Sequence, residues 1–408
     1  MNILILNQPL NNRGDESAHR ALIRSIIKYI PDAHVRCLFG NDQEDTIRQF
    51  MVIDNRVEYV RVHHRKNLKS SQMLVKGLKY PLLWHLHPYV ISYLNNYRWA
   101  DAVVCAPGGI CMGGFMNWEH QNKLMYGIKL HKPLFYYGRS IGPFWDEPAE
   151  KKLFKKRAVE ILNYSSFVSL REAESMRIAH ELGIKDVVST VDSAFLDYPE
   201  VLVPSEIKEK IGNTPYVVFV PNLLIWHYFY KGKATKVDVV DFWSKIVDVI
   251  SEHFPNHKII MLPQTFNYAN PDDNDVNLFY DIRNNRPESK IVVVEDKYSS
   301  DIQQTIIRGA DAMFGSRYHS VVFAINNNVP FVAFSYEHKI AGLLEELKLQ
   351  DEMIDIKDLF SSTKFNQKVI DTFNNVIPSI HRSLDAQKKA KTIAKECFLK
   401  FKNVICSL

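Results

Sequence analysis

The chain has 408 residues, 46% hydrophobic and 24% charged, which excludes a disordered, collagenous or low-complexity polypeptide and favours two domains, with room for large cores. Its 51 Lys and Arg against 46 Asp and Glu leave a net charge of +5, too diffuse to argue for nucleic acid. Cys37, Cys105, Cys111, Cys397 and Cys406 form no C-x-x-C pair, the apolar N-terminus is too brief for a signal peptide, and runs of about 18 apolar residues are absent, so a cytosolic, non-spanning protein is expected.

Short β-branched or aromatic runs alternate with helical patterns from end to end, the order of βαβ units around parallel sheets. In the first half strands are predicted at 3–7, 35–39, 57–62, 102–106, 134–137, 167–170 and 187–190. The proline-flanked stretch 198–204 reads as a linker. Further strands follow at 216–220, 258–262, 291–294, 312–314 and 331–334, and a helical tail closes the chain from about 366 to 403. The expectation is α/β with two Rossmann-like domains facing a cleft, a GT-B-like layout: residues 1–197, then 205–365, then a tail of 366–408 packing back on the first domain. Basic Arg61, Arg65, Lys66, Lys69, Lys76 and Lys79 lead into Tyr80, Trp84, Tyr89, Tyr93, Tyr97 and Trp99. That segment, 61–99, and the lysine-rich tail read either as solvated amphipathic helices or as a surface for lipid.

Open α/β sheets bind ligands beyond the carboxyl ends of their strands, so the turns there are the candidates for chemistry. Asn12-Arg13-Gly14-Asp15-Glu16 follows the first strand; Gly14 permits a tight turn, Asp15 can cap the helix, and the acidic pair suits sugar hydroxyls or acid–base duty, unless it is only a capped turn. Ala106-Pro-Gly-Gly lacks dinucleotide and P-loop spacings, but Gly108 and Gly109 allow close backbone approach to a ligand. Gly138-Arg139-Ser140-Ile141-Gly142-Pro143 reads as a turn carrying a guanidinium and a hydroxyl to the same edge. Arg171 with Ser175 suits a carboxylate or phosphate, or else a surface salt bridge. Ser316-Arg317-Tyr318-His319 opens a helix where the macrodipole favours an anion, and Tyr336-Glu337-His338-Lys339 adds a cation. His63-His64 and His85-x-His87 lack a convincing ligand pattern, so no metal is expected.

These motifs, with Asp192-Ser193-Ala194-Phe195, stand in the order found in the polysaccharide pyruvyl transferase family, which the chain resembles over about 2–349. Two departures are Arg139, where the family usually has Gln, and Pro107 at the start of the glycine triplet. The resemblance implies transfer of pyruvate from phosphoenolpyruvate to two hydroxyls of a galactose- or mannose-type sugar, forming a cyclic ketal and releasing phosphate, with no cofactor beyond that co-substrate. Donor binding then falls to Arg171, Ser175, Arg317, His319 and Lys339, acceptor binding to Asp15, Gly108, Gly109, Arg139, Ser140 and Tyr336, and catalysis to His319, Arg317, Asp15 and Glu16. Expected partners are the donor, a sugar precursor carried on a polyprenyl diphosphate, and the inner face of the cytoplasmic membrane, with no nucleic acid. A nucleotide-sugar glycosyltransferase and a silent glycan-binding scaffold remain the alternatives.

Overall fold

Parallel pairing of short apolar runs organises the protein, whose computed structural model describes residues 1–7, 12–39, 50–61, 69–114, 116–227, 229–266 and 274–408, except the side chains of 69–72, 74 and 89. The first sheet contains β1 (Asn2–Leu6), β2 (His34–Phe39), β3 (Val57–Arg61), β4 (Ala102–Cys105), β5 (Gly108–Gly113), β6 (Leu134–Gly142), β7 (Phe167–Arg171) and β8 (Val187–Thr190). Its order is β3-β2-β1-β4-β6-β7-β8, with β5 beside β6. The second contains β9 (Tyr216–Val220), β10 (Lys258–Met261), β11 (Ile291–Val293), β12 (Met313–Gly315), β13 (Phe331–Ser335) and β14 (Met353–Asp355), in the order β11-β10-β9-β12-β13-β14. Both are parallel, and strand order reverses at β1/β4 and at β9/β12, where ligands of such sheets bind.

Two departures from the predicted strands matter for the site. The glycine-dense stretch after β4 is a strand, β5, rather than a loop. The expected turn at Gly138–Pro143 is a continuation of β6 through Gly142. Gly138 at φ 57° and Gly142 at φ 85° let the strand bend, and its register shifts between Tyr136 and Arg139.

Alternation along the first sheet separates two cores. Leu4, Leu6, Val103, Cys105, Leu134 and Tyr136 enter one, while Ile3, Ile5, Ala102, Val104, Phe135 and Tyr137 enter the other. Cys397, Phe398, Phe401 and Ile405, from the helix Leu384–Ile405, complete the second of these. One compact unit accordingly comprises Met1–Leu10, Asp15–Asp197 and Thr392–Leu408; the other comprises Asn11–Gly14 and Tyr198–Lys391. Residues 366–391 thus group with the second sheet, where Val369, Ile370 and Phe373 of the helix Thr363–Val376 are buried. Phe401 is fully buried, with ring centroids 5.4 Å from Phe135, 5.1 Å from Tyr137 and 5.9 Å from Phe167. Phe401→Ala should therefore lower the unfolding free energy by about 3–5 kcal/mol in a urea titration.

Candidate active site

In the second unit β12 runs into Ser316 and Arg317 and then the helix Tyr318–Asn326, a turn at the β9/β12 reversal. Gly315 is required there because a Cβ would stand 2.3 Å from Ser320 Oγ, which donates to the Arg317 carbonyl at 2.6 Å. Arg317, buried, is ion-paired with Asp275. Asp275 is itself fixed, its Oδ2 accepting the Gln264 and Thr265 N–H groups at 2.9 and 3.0 Å. The guanidinium is thus aimed by a carboxylate that the turn after β10 holds in place, an arrangement invisible in the motif. Ser316 Oγ is buried with no hydrogen-bond partner among the described residues, beside the N-terminus of that helix.

His319 is placed by Gly14. A Cβ on Gly14 would lie 1.9 Å from both Cγ and Nδ1 of the imidazole. Gly14 sits in the first turn of the helix Arg13–Tyr29, and Asn12 Oδ1 accepts its N–H at 2.8 Å. The cap is therefore Asn12 rather than Asp15, and the glycine makes room for a ring instead of permitting a turn. The Arg13 N–H donates to the Gln264 carbonyl at 2.8 Å, and Asn12 bridges Thr265, so the segment and the Asp275 turn are joined.

Beyond β13, Lys339 Nζ stands 2.6 Å from Glu337 Oε1, and the buried His227 imidazole lies 3.7 Å from Oε2. The His227 ring orientation follows from its Nδ1, which accepts the Phe229 N–H at 3.4 Å. Burial opposes ionisation of Glu337, but the Lys339 ammonium and then the His227 ring outweigh it and hold the carboxyl at about 2, against an ordinary 4.5. The sign follows: this depressed carboxylate contributes stability that is complete above pH 4.5 and lost as pH falls to about 2. Urea unfolding between those limits should show that loss in the native protein and a flatter profile in Glu337→Gln. Tyr336, read from sequence as an acceptor contact, is instead buried in this unit, its ring 5.1 Å from His227 and its hydroxyl accepting from Asn222 Nδ2 at 3.3 Å.

The first unit gathers the other candidates at the ends of β6 and β7. Arg171 is 1% exposed and ion-paired with Asp192; its Nε donates to Ser140 Oγ at 3.0 Å and lies 3.6 Å from Glu172 Oε1. Ser140 donates to Glu172, as does Ser175 at 2.8 Å, while Ser175 Oγ accepts the Ile141 N–H at 3.0 Å. Glu172 adopts φ 64°, which these contacts over-determine. Arg171, Ser175 and Ser140 are therefore members of a sealed polar network that fastens β6, β7 and Asp192, which corrects their reading as an open grip on donor or acceptor. Removing the carboxylate in Asp192→Ala should cost about 3–5 kcal/mol in chemical unfolding by leaving a buried guanidinium uncompensated.

Arg139 is likewise fully buried. Nη1 donates to the carbonyls of Ala106 and, at 3.3 Å, Asn7; Nη2 donates to the Gly109 carbonyl at 3.2 Å and to Cys111 Sγ at 3.0 Å. It knits the ends of β1 and β4 to β5, so the reading as an acceptor contact is replaced by a positioning role. Glu16 is also buried, paired with Arg20 at 3.0 Å, which removes it from the candidate bases. Asp15 remains, with Oδ1 3.3 Å from where a Gly108 Cβ would stand, while a Cβ on Gly109 would meet nothing within 4 Å. The partners of Asp275, Asn222 and His227 are distant in sequence, so the motif does not mark these residues; Asn222 and His227 merely flank an apolar run just after a predicted strand.

Among the described residues no group of three or more His, Cys, Asp or Glu side chains could hold a metal ion, and no helix is long and apolar enough to cross a membrane; His63 and His64 lie outside those residues. A family model for polysaccharide pyruvyl transferase matches residues 12–338. The amylovoran biosynthesis protein AmsJ of Erwinia amylovora is 21% identical, over 95% of this chain and 96% of its own. Among solved structures, the UDP-GlcNAc 2-epimerase of Methanocaldococcus jannaschii is similar with a TM-score of 0.58 at 13% identity, over 98% of this chain and all of that one. A UDP-glucose:anthocyanidin 3-O-glucosyltransferase in complex with UDP has a TM-score of 0.52 at 10% identity, covering 100% and 99%. These likenesses establish the GT-B-like α/β fold.

Proposed function

Because the chain belongs to the polysaccharide pyruvyl transferase family, we propose that it is a ketal pyruvyl transferase, moving pyruvate from phosphoenolpyruvate to two hydroxyls of a sugar in a surface-polysaccharide precursor. The observation that carries this reading is Arg317, locked by Asp275 beside His319 at the strand-order reversal of the second sheet. A donor bearing a carboxylate and a phosphate needs fixed cations, and a guanidinium held at one angle binds such groups with little reorganisation. Lys339, steadied by Glu337, supplies a second charge, and the Ser316 hydroxyl with the helix N-terminus supplies donors for phosphate oxygens.

The chemistry balances without a further reactant. A proton adds to the enol methylene, making it a methyl group, and one sugar hydroxyl adds to C2 of the resulting oxocarbenium-like centre. The C2–O–phosphate bond breaks, the second hydroxyl adds, and of the two hydroxyl protons one replaces that taken up by carbon and one leaves with phosphate. His319 is assigned the proton transfer at the donor and Asp15 the acceptance of a hydroxyl proton at the sugar. Arg139, Arg171, Ser140 and Ser175 hold the backbone of the first unit.

Phosphate release from phosphoenolpyruvate should require a sugar acceptor, assayed across free and lipid-linked galactosides and mannosides. Turnover of UDP- or GDP-sugars in place of phosphoenolpyruvate would overturn the reading in favour of a glycosyltransferase. Binding of glycan without turnover of any donor would overturn it in favour of a scaffold.

A further inference from the structure

The aromatic-rich segment after β3 divides into two unlike parts. Tyr93 and Tyr97 are core residues, buried with Tyr126 at ring distances of 5.2 to 6.2 Å, so the helix Pro88–Trp99 is no lipid-facing element. The preceding part behaves oppositely. Across the end of the helix Lys69–Lys79 and the short helix Leu83–Leu86, Val75, Tyr80, Leu82 and Leu86 are 49%, 53%, 69% and 65% exposed. Burying none of these large side chains is unfavourable for a protein that had only water to face.

The exposure is not slack in the chain. Trp84 Nε1 donates to the Gly77 carbonyl at 2.8 Å, Leu78 is buried, and a Cβ on Gly77 would strike Tyr126 Oη at 2.3 Å, so the two helices are fastened to the unit by their inner side. Leu82 and Leu86, four residues apart, stand on one face of the short helix, and Lys76 and Lys79 flank them, both exposed. From Tyr59 to Ala100 the sequence has seven Lys and Arg and no Asp or Glu. Glu119, on the helix packed beneath, is occupied by Lys123 at 2.8 Å.

We infer that this surface, Val75 to Leu86, docks on an anionic lipid bilayer. Apolar tips rimmed by lysines in an acid-free segment match an interface that is oily a few ångströms down and negative at its surface. Nucleic acid would satisfy the lysines but not four exposed apolar side chains, and a second copy of the chain would set like charges against one another. The inference does not depend on the transferase reading, though it would bring the enzyme to an acceptor carried on lipid.

The test is sedimentation of the full chain with vesicles of phosphatidylcholine alone or with 30% phosphatidylglycerol, about, alongside a single-stranded RNA and a mass measurement in solution. The expected result is partition to the anionic vesicles that weakens as salt screens the surface, and that falls roughly fivefold for each lysine neutralised by substitution. Leu82→Ser with Leu86→Ser, and separately Lys76→Glu with Lys79→Glu, should each cut it at least about tenfold while thermal unfolding stays unchanged. The inference is overturned by absent partition, by partition that both variants retain, by binding of RNA in place of vesicles, or by a stable dimer that the leucine variant dissolves. Loss of vesicle binding with donor turnover on a soluble acceptor unchanged would separate it from the proposed reaction.

Discussion

Arg317→Ala is expected to lower kcat/KM for phosphoenolpyruvate by about 1,000-fold, the scale of removing one partner from a buried, hydrogen-bonded charge contact. The side chain does two things at once, pairing with Asp275 and presenting charge at the end of β12, and the variants separate them. In Asp275→Asn the amide oxygen still accepts the N–H groups of Gln264 and Thr265, so the turn keeps its shape while the guanidinium loses its anchor. That variant should show a smaller loss, about 10- to 100-fold, chiefly in KM. Arg317→Lys keeps the charge but not the planar fork, and should recover little of the loss. Steady-state phosphate release for the three variants checks all of this; normal turnover in Arg317→Ala would remove the residue from the site.

Gly14→Ala is the second large effect. One methyl group is added, yet it would sit 1.9 Å from two ring atoms of His319, so the imidazole has to leave its place. A displacement of about 1 Å at a reacting group costs on the order of 100-fold in rate. At this first-turn position alanine gains less than the about 1 kcal/mol it has over glycine in a helix interior, which offsets part of the cost of overpacking. Turnover should therefore collapse, by about 100-fold or more, without a matching fall in the melting temperature. Retained kcat would show that His319 works from another position.

The architecture was readable because a buried parallel sheet demands near-continuous apolar runs, and twelve predicted strands appear in the chain. Glycine misled at two places. At 138–142 it signals a strand that bends, and at Gly14 it signals a neighbouring ring, yet both read as turns because local sequence does not reveal what lies across the gap. The charged residues divided similarly. Arg317 and Arg171 both follow a strand, at the ends of β12 and β7, but Arg171 is enclosed by its neighbour Glu172 and by Asp192 and Ser140, a carboxylate and a hydroxyl that only folding brings to it. Arg139 differs again, being satisfied by carbonyls and a thiol, a role in which charge serves to hold backbone.

The core that Phe398 and Phe401 complete also sets a timetable. Residues up to Asp197 leave the ribosome well before the residues from Thr392 onward that group with them. At about 5–20 residues per second that interval is roughly 10–40 s, during which one apolar face of the first sheet awaits its last helix. A chain halted before residue 392 would therefore leave Phe135, Tyr137 and Phe167 without the Phe401 ring that covers them, a nascent form suited to chaperone capture rather than to early independent folding.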